Sequence, residues 1–309
     1  MKPVIKAENL SKWYGNVLGI SDISLEITPG IKGLLGPNGA GKSTFLKVIS
    51  GQLKPNIGTI TLRGEPVFSN QRLFSHTGFC PEHECYYKGN TGWQQVLFRA
   101  KLQGFSPKEA AEKAGFAISR VGLLESKDRL IREYSLGMKQ RLKLAASIVH
   151  EPDILMLDEP LRGVDPLWRV NIIQIIKEYE KEGKTVIVAS HILPEIEAMT
   201  NSIILIHQGK IFAQGDIQYI RSLMDSHPHM ISVGCSQTRK LAGLMIDSDY
   251  ITDIRFHQED QQKVTFKTNK RDQFFDLLNR LIVEHDVEVT EITSPDDNLQ
   301  AVFDYLIGR

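Results

Sequence analysis

The nine residues GPNGAGKST, Gly36 to Thr44, constrain this chain more than any other stretch. An apolar segment (Ile31, Leu34, Leu35) precedes them and a helical pattern (Phe45, Leu46, Val48, Ile49) follows, so they form a turn from a strand into a helix. Gly36, Gly39 and Gly41 permit positive φ and close backbone approach, which lets successive N–H groups curl around an anion at the positive end of the helix. Such a loop grips the phosphates of a nucleotide. The contact set is then Gly36, Pro37, Asn38, Gly39, Ala40, Gly41, Lys42, Ser43 and Thr44. Lys42 reaches the β- and γ-phosphates and Ser43 ligates Mg2+.

A phosphate loop calls for a second phosphate-handling element, and Ile154 to Pro160, ILMLDEP, supplies one. Its apolar run predicts a buried parallel strand that ends on two carboxylates. Asp158 is placed to hold Mg2+ through its water shell, and Glu159 to orient or deprotonate an attacking water. Upstream, Tyr134 to Arg141 reads YSLGMKQR and runs into a helical pattern (Leu142, Leu144, Ala145, Ala146, Ile148, Val149). Ser135 is the candidate N-cap and Gly137 allows close approach, so this helix start also offers free N–H groups to an anion.

Composition excludes several classes. With 309 residues, 41% of them hydrophobic, the chain has room for one large domain and a small one. Lys plus Arg equals Asp plus Glu at 37 each, so no overall basic field invites nucleic acid. Apolar runs such as Ile203 to Ile206 fall far short of the roughly 18 residues that span a bilayer. The start, MKPVIKAENL, lacks the apolar stretch of a secretory signal. The expectation is a cytoplasmic protein whose membrane role, if it has one, runs through a partner. Cys80, Cys85 and Cys235 do not make a disulfide framework. His76, Cys80, His83 and Cys85 have ligand chemistry, but their spacing fits no standard zinc finger, and the triplet His227 to His229 reads as linker.

Taken in order, the motifs resemble those of the ATP-binding cassette (ABC) family over about the first 220 residues. GPNGAGKST matches the Walker A loop, ILMLDEP the Walker B strand, and Ser135, Leu136, Gly137 and Met138 the signature. Tyr14 in SKWYG matches the aromatic that stacks on adenine, and Glu82 in GFCPE falls at the Q-loop. LRGVDP, with Asp165, fits the D-loop, and His191 after TVIVAS fits the histidine that touches the γ-phosphate. The resemblance implies an ATPase with ATP and Mg2+ as cofactors. Lys42, Glu159 and His191 would be its catalytic set, with Ser43, Glu82 and Asp158 around the metal. It also implies a second ATPase subunit, identical or not, whose signature closes over this chain's ATP. A separate integral membrane permease is the other implied partner, at the cytoplasmic face of a membrane.

Three positions depart from the family pattern. Leu136 replaces the first glycine of the common signature. Glu82 replaces a glutamine, and its carboxylate can bind Mg2+ through water but adds negative charge beside the phosphates. Arg162 stands where a small polar residue is usual, and a long cation there alters crosstalk between sites.

The expected fold class is α/β: a P-loop NTPase ABC core with a mixed sheet, an antiparallel β subdomain and a helical subdomain, plus a small α+β ferredoxin-like C-terminal domain. The core is expected over residues 1–220, with its helical subdomain at about Gly92 to Val149, and the accessory domain over 221–309. Tyr86 and Tyr87, ahead of the helical subdomain, are expected on the surface that accepts a membrane subunit. After Gly215-Asp216 a short helix (Ile217 to Met224) is expected. Then come strand Met230 to Val233, helix Arg239 to Met245, strands Thr252 to Phe256 and Lys263 to Lys267, helix Asp272 to Val283, strand Glu288 to Thr293 and a closing helix Asn298 to Ile307. The ending resembles the tail of ABC export ATPases, so an exporter subunit is the leading reading. The alternative is a soluble single-cassette ABC ATPase acting in cofactor assembly, a class that lacks this extra domain, or in another non-transport process.

Overall fold

The computed structural model describes residues 3–87, 89–217, 229–257, 260 and 262–294. The chain divides into two compact units, Met1–Asp216 and Ile217–Arg309.

The first unit is built on a six-stranded sheet of order β10-β9-β3-β8-β7-β6. Its central strands are β3 (Gly30–Leu35), β7 (Ile154–Asp158) and β8 (Thr185–Ser190). Every residue of β7 and β8 is buried, as expected of parallel strands covered on both faces. The outer strands are β6 (Thr77–Cys80), β9 (Ser202–His207) and β10 (Lys210–Asp216), and only β10 runs antiparallel to its neighbour. Parallel direction sends the C-terminal ends of β3, β8, β7 and β6 to one edge. The loops there carry residues 36–44, 191, 158–162 and 82, which is where open α/β sheets form their clefts.

A second, antiparallel sheet has the order β2-β1-β4-β5: β1 (Ile5–Tyr14), β2 (Val17–Ile27), β4 (Ile57–Leu62) and the short β5 (Glu65–Pro66). The register pairs Tyr14 with Val17, so a two-residue turn at Gly15-Asn16 places both at the tip of the hairpin. Helix α1 (Lys42–Ile49) buries Phe45, Leu46, Val48 and Ile49, which join residues of both sheets in one core. Burying each such side chain contributes about 1.5–3 kcal/mol, so this helix start is firmly located.

The helical part comprises α3 (Gly92–Leu102), α4 (Pro107–Arg120) and α5 (Leu136–Ile148), while a one-turn α2 (Gln71–Phe74) lies before β6. Thr91 with Gln94 and Ser106 with Glu109 form capping boxes at α3 and α4, and Pro107 at the first turn has no N–H to leave unpaired. Val96, Ala100, Ala114, Ile118 and Val121 are buried at helical spacing. Helix α6 (Pro166–Lys181) and the short α7 (Leu193–Glu197) flank β8.

The second unit alternates β11 (His229–Cys235), α8 (Thr238–Met245), β12 (Ile251–Phe256), β13 (Lys263–Thr268), α9 (Arg271–His285) and β14 (Val289–Thr293). Its sheet order is β12-β13-β11-β14, and all adjacent strands are antiparallel. Two split βαβ units therefore interleave. Ile231, Val233, Leu241, Met245, Phe266, Phe274 and Leu278 form its core. The helix expected at Ile217 to Met224, apart from Ile217, the closing helix Asn298 to Ile307, and His227 with Pro228 lie outside the described residues. Among the described residues no helix is long and apolar enough to cross a membrane.

Candidate active site

The sheet edge holds a cleft of about 710 Å³. Its lining includes Pro37 through Thr44, Asp158, Glu159, His191 and Glu82, brought together from points more than 150 residues apart. Gly36 is not among the lining residues, and a Cβ there would overlap the carbonyl of Ile206. Gly41 has φ +106°, and a Cβ would stand 2.6 Å from the carbonyl of Gly19. The loop is thus pressed against the strands around it. Helix α1 starts at Lys42 with no side-chain cap and no acidic residue in its first turn, which leaves its N–H groups and positive end to a bound anion. These features fit the phosphates of ATP.

Lys42 is buried. Its Nζ donates to the carbonyls of Gly36 at 2.8 Å and Pro37 at 3.3 Å, and lies 3.4 Å from Glu159 Oε1. The same carboxylate oxygen is 2.9 Å from His191 Nδ1. One oxygen of Glu159 thus faces both a lysine and a histidine. The backbone of Glu159 is fixed with equal care: φ is +50°, its N–H donates to the Ala189 carbonyl at 2.9 Å, and its carbonyl accepts from Gln140 Nε2 at 3.0 Å. A glutamate in the left-handed region is strained, and strain of that kind persists where the surroundings over-determine it.

Asp158 ends β7 almost wholly buried, and its Oδ1 has no hydrogen-bond partner. Burial pushes its carboxyl above the usual carboxylate range, and the neighbouring Ser43 hydroxyl opposes the shift. A buried, unpartnered carboxylate oxygen beside a serine hydroxyl is a donor set suited to Mg2+. The histidine loop has its own brace. Ser190 donates to Glu195 at 2.9 Å, Arg169 contacts the other oxygen of Glu195 at 3.2 Å, and the Ile192 N–H donates to Ser190 at 3.1 Å. Tyr14 forms part of the cleft wall, 45% exposed as a residue, with its hydroxyl 3.4 Å from the Thr44 hydroxyl.

Of the remaining sequence candidates for the ATP site, only Glu82 lines the cleft. Ser135 caps α5 by accepting the Met138 N–H at 3.2 Å, and neither it nor Leu136, Gly137 or Met138 lines the cleft. Leu136 is 62% exposed. Asp165 caps α6 through the Trp168 N–H at 3.1 Å and does not line the cleft either. Glu82 does line it, but its carboxylate accepts a hydrogen bond from Arg162. Tyr87 is exposed and Tyr86 half-buried. His76 pairs with Asp153, Cys80 is fully buried, and among the described residues no three metal-ligating side chains cluster.

Sequence reasoning missed Gln140 and Lys143. Lys143 is buried and donates to the carbonyls of Pro81 at 2.7 Å and Glu82 at 2.6 Å. With Ser147 these two form a polar stripe at positions i, i+3 and i+7 of α5, all buried. A polar stripe on a helix ordinarily marks the solvent side, and with the apolar Leu142, Ala145 and Val149 on the opposite face the sequence carried no signal that this one is buried.

Comparisons with known proteins identify the chain's family. The family model described as ABC transporter matches residues 20–162. The bacitracin transport ATP-binding protein BcrA of Enterococcus faecalis is 34% identical over 313 residues, covering 100% of this chain and 97% of that protein. The chain belongs to the ABC transporter ATP-binding family. The daunorubicin/doxorubicin resistance ATP-binding protein DrrA of Streptomyces peucetius is 31% identical to this ABC protein, over 99% of the chain and 92% of the relative. A solved ATP-binding subunit of an ABC transporter superposes with a TM-score of 0.65 at 25% identity, over 72% of this chain and 93% of its own. As an ABC protein the chain is an ATPase that uses ATP with Mg2+, and its first unit has the cassette fold.

Proposed function

We propose that this chain is the ATPase subunit of an ABC exporter, working at the cytoplasmic face of a membrane with a separate permease subunit and a second ATPase subunit. The observation that carries this reading is a half-built site. The phosphate cradle, the Glu159 carboxylate and His191 converge in one cleft, while the signature at Ser135 to Met138 stays outside it. A second subunit's signature supplies the missing donors and encloses the γ-phosphate. ATP thus joins two subunits, and hydrolysis removes the joint. Relatives named for bacitracin transport and daunorubicin/doxorubicin resistance favour removal of an antibiotic as the task.

In this reading Tyr14 stacks on adenine and the loop from Gly36 to Thr44 holds the phosphates. Lys42 leaves Glu159 for the β- and γ-phosphates, and Ser43 and Asp158 hold Mg2+. Glu159, oriented by His191, takes a proton from water as the water oxygen attacks the γ-phosphorus and ADP leaves with the bonding electrons. Asp165 positions the turn before α6 by capping that helix. The second unit, residues 217–309, supports the dimer or regulates it.

Gentle solubilisation of membranes that contain this protein, followed by identification of what co-purifies, tests the reading. An integral membrane subunit is the expected result; a stable soluble complex without one favours the cofactor-assembly class instead.

A further inference from the structure

Two departures from the family pattern turn out to be one feature. Glu82, on the loop after β6, and Arg162, in the turn after Glu159, are hydrogen-bonded through Arg162 Nη1 and Glu82 Oε1, and both line the nucleotide cleft. The rest of the Glu82 loop is tied down by α5. Lys143 holds the Pro81 and Glu82 carbonyls, and Lys139 lies 3.8 Å from Glu84.

The charges of the cleft then sort themselves. Glu159 faces Lys42 and His191, Glu82 faces Arg162, and Asp158 keeps a buried oxygen with no hydrogen-bond partner. The substitutions at 82 and 162 cancel in charge, so the net charge beside the phosphates is the same as with a neutral residue at each place.

We propose that Glu82 and Arg162 act as one charge-compensated positioning pair. Arg162 neutralises the Glu82 carboxylate beside the phosphates and ties loop 81–84 to turn 161–164, so that nucleotide arriving at one moves both. The proposal rests on the ATP reading of the cleft. Arg162 has 62% of its side chain exposed, and a surface pair of this kind contributes little to folding stability. Its effect lies in where the charge stands when a polyanion arrives.

The test is a double-mutant cycle in the full chain with Arg162→Ser, Glu82→Gln and the double variant. Affinity for a fluorescent ATP analogue is measured with and without Mg2+ at low and high salt, with KM and kcat alongside. Arg162→Ser leaves an unpaired carboxylate beside the phosphates, and affinity at low salt should fall by about five- to tenfold, mostly in KM, with the loss shrinking at high salt. The double variant should return to within about twofold of wild type, and Arg162→Lys should keep most of the affinity. Melting midpoints of all variants should match, which separates charge placement from misfolding. Wild-type affinity in Arg162→Ser, or a double variant that shows the simple product of the two single effects, would overturn the pair. A Lys42→Ala control that binds ATP normally would instead discredit the cleft as the ATP site, so the two failures are distinguishable.

Discussion

The helix starts at α1 and α5 in the first unit are made from similar parts and end in opposite states. At α1 the glycine loop is wedged under Ile206 and beside Gly19, its lysine is buried, and carboxylates from β7 close the far side. At α5 the cap is a serine on the surface, followed by a leucine that is 62% exposed. Both helices offer N–H groups and a positive end. Only one has the rest of a site around it. In the proposed reading the first start binds, the second completes, and completion comes from a second ATPase subunit, identical or not.

That contrast breaks most visibly on turnover. Glu159→Gln keeps the cradle and removes the base, so steady-state hydrolysis should drop by about 10²–10⁴ while ATP binding persists. Near-normal phosphate release in that variant would defeat the assignment. The two helix starts can next be set against each other. Lys42→Ala should weaken ATP binding by about 10–100-fold, whereas Ser135→Arg should leave binding intact and stop turnover. Mixing these two inactive variants should restore activity, up to about a quarter of wild type, because half the dimers are mixed and each holds one sound cradle facing one sound signature. A mixture as inactive as its components would argue against a site shared between identical subunits.

A smaller effect concerns Asp158. Its carboxyl ionises at higher pH in the folded chain than in the unfolded one, so its contribution to stability is fully present below the unfolded value and is lost as pH rises through the folded value. Asp158→Asn should therefore raise the melting midpoint of the nucleotide-free, Mg2+-free protein near neutral pH by about 2–4 °C, corresponding to about 1 kcal/mol. The gain should vanish in acid, while hydrolysis is lost throughout. A variant that melts lower than wild type at neutral pH would show that the buried carboxylate is held by something other than metal. The smallest effect is chemical. Burial pushes the Cys80 thiol up to about 12, so iodoacetamide should leave it unlabelled in the native protein at neutral pH and modify it after unfolding. Labelling of native Cys80, read by peptide mass mapping, would reveal opening of the strand edge just before Glu82.

Much of the site was legible because its chemistry is local. GPNGAGKST needs only its own glycines and the helix that follows, and ILMLD announces a buried strand that ends on a carboxylate. What could not be read was which groups share a partner. Glu82 looked like an added negative charge and Arg162 like a stray cation; 80 positions apart in the chain, they meet only because β6 and β7 are neighbours and end at the same edge. Gln140 and Lys143 looked like the wet side of a helix, and they are the buried ties that hold Glu159 and the Glu82 loop. Asp165 looked like a site residue, and its carboxylate is occupied at the start of α6.

By itself, the sequence determined that this protein handles a nucleotide, since backbone conformation around glycine and the spacing of lysine, serine and carboxylates are short-range properties. The tertiary structure decided how the charges are paired, that one Asp158 oxygen stays buried without a hydrogen-bond partner, and that Ser135 to Met138 stand outside the cleft of the glycine loop. Those outcomes depend on strand order, and strand order is set by the packing of apolar residues far from the motifs themselves.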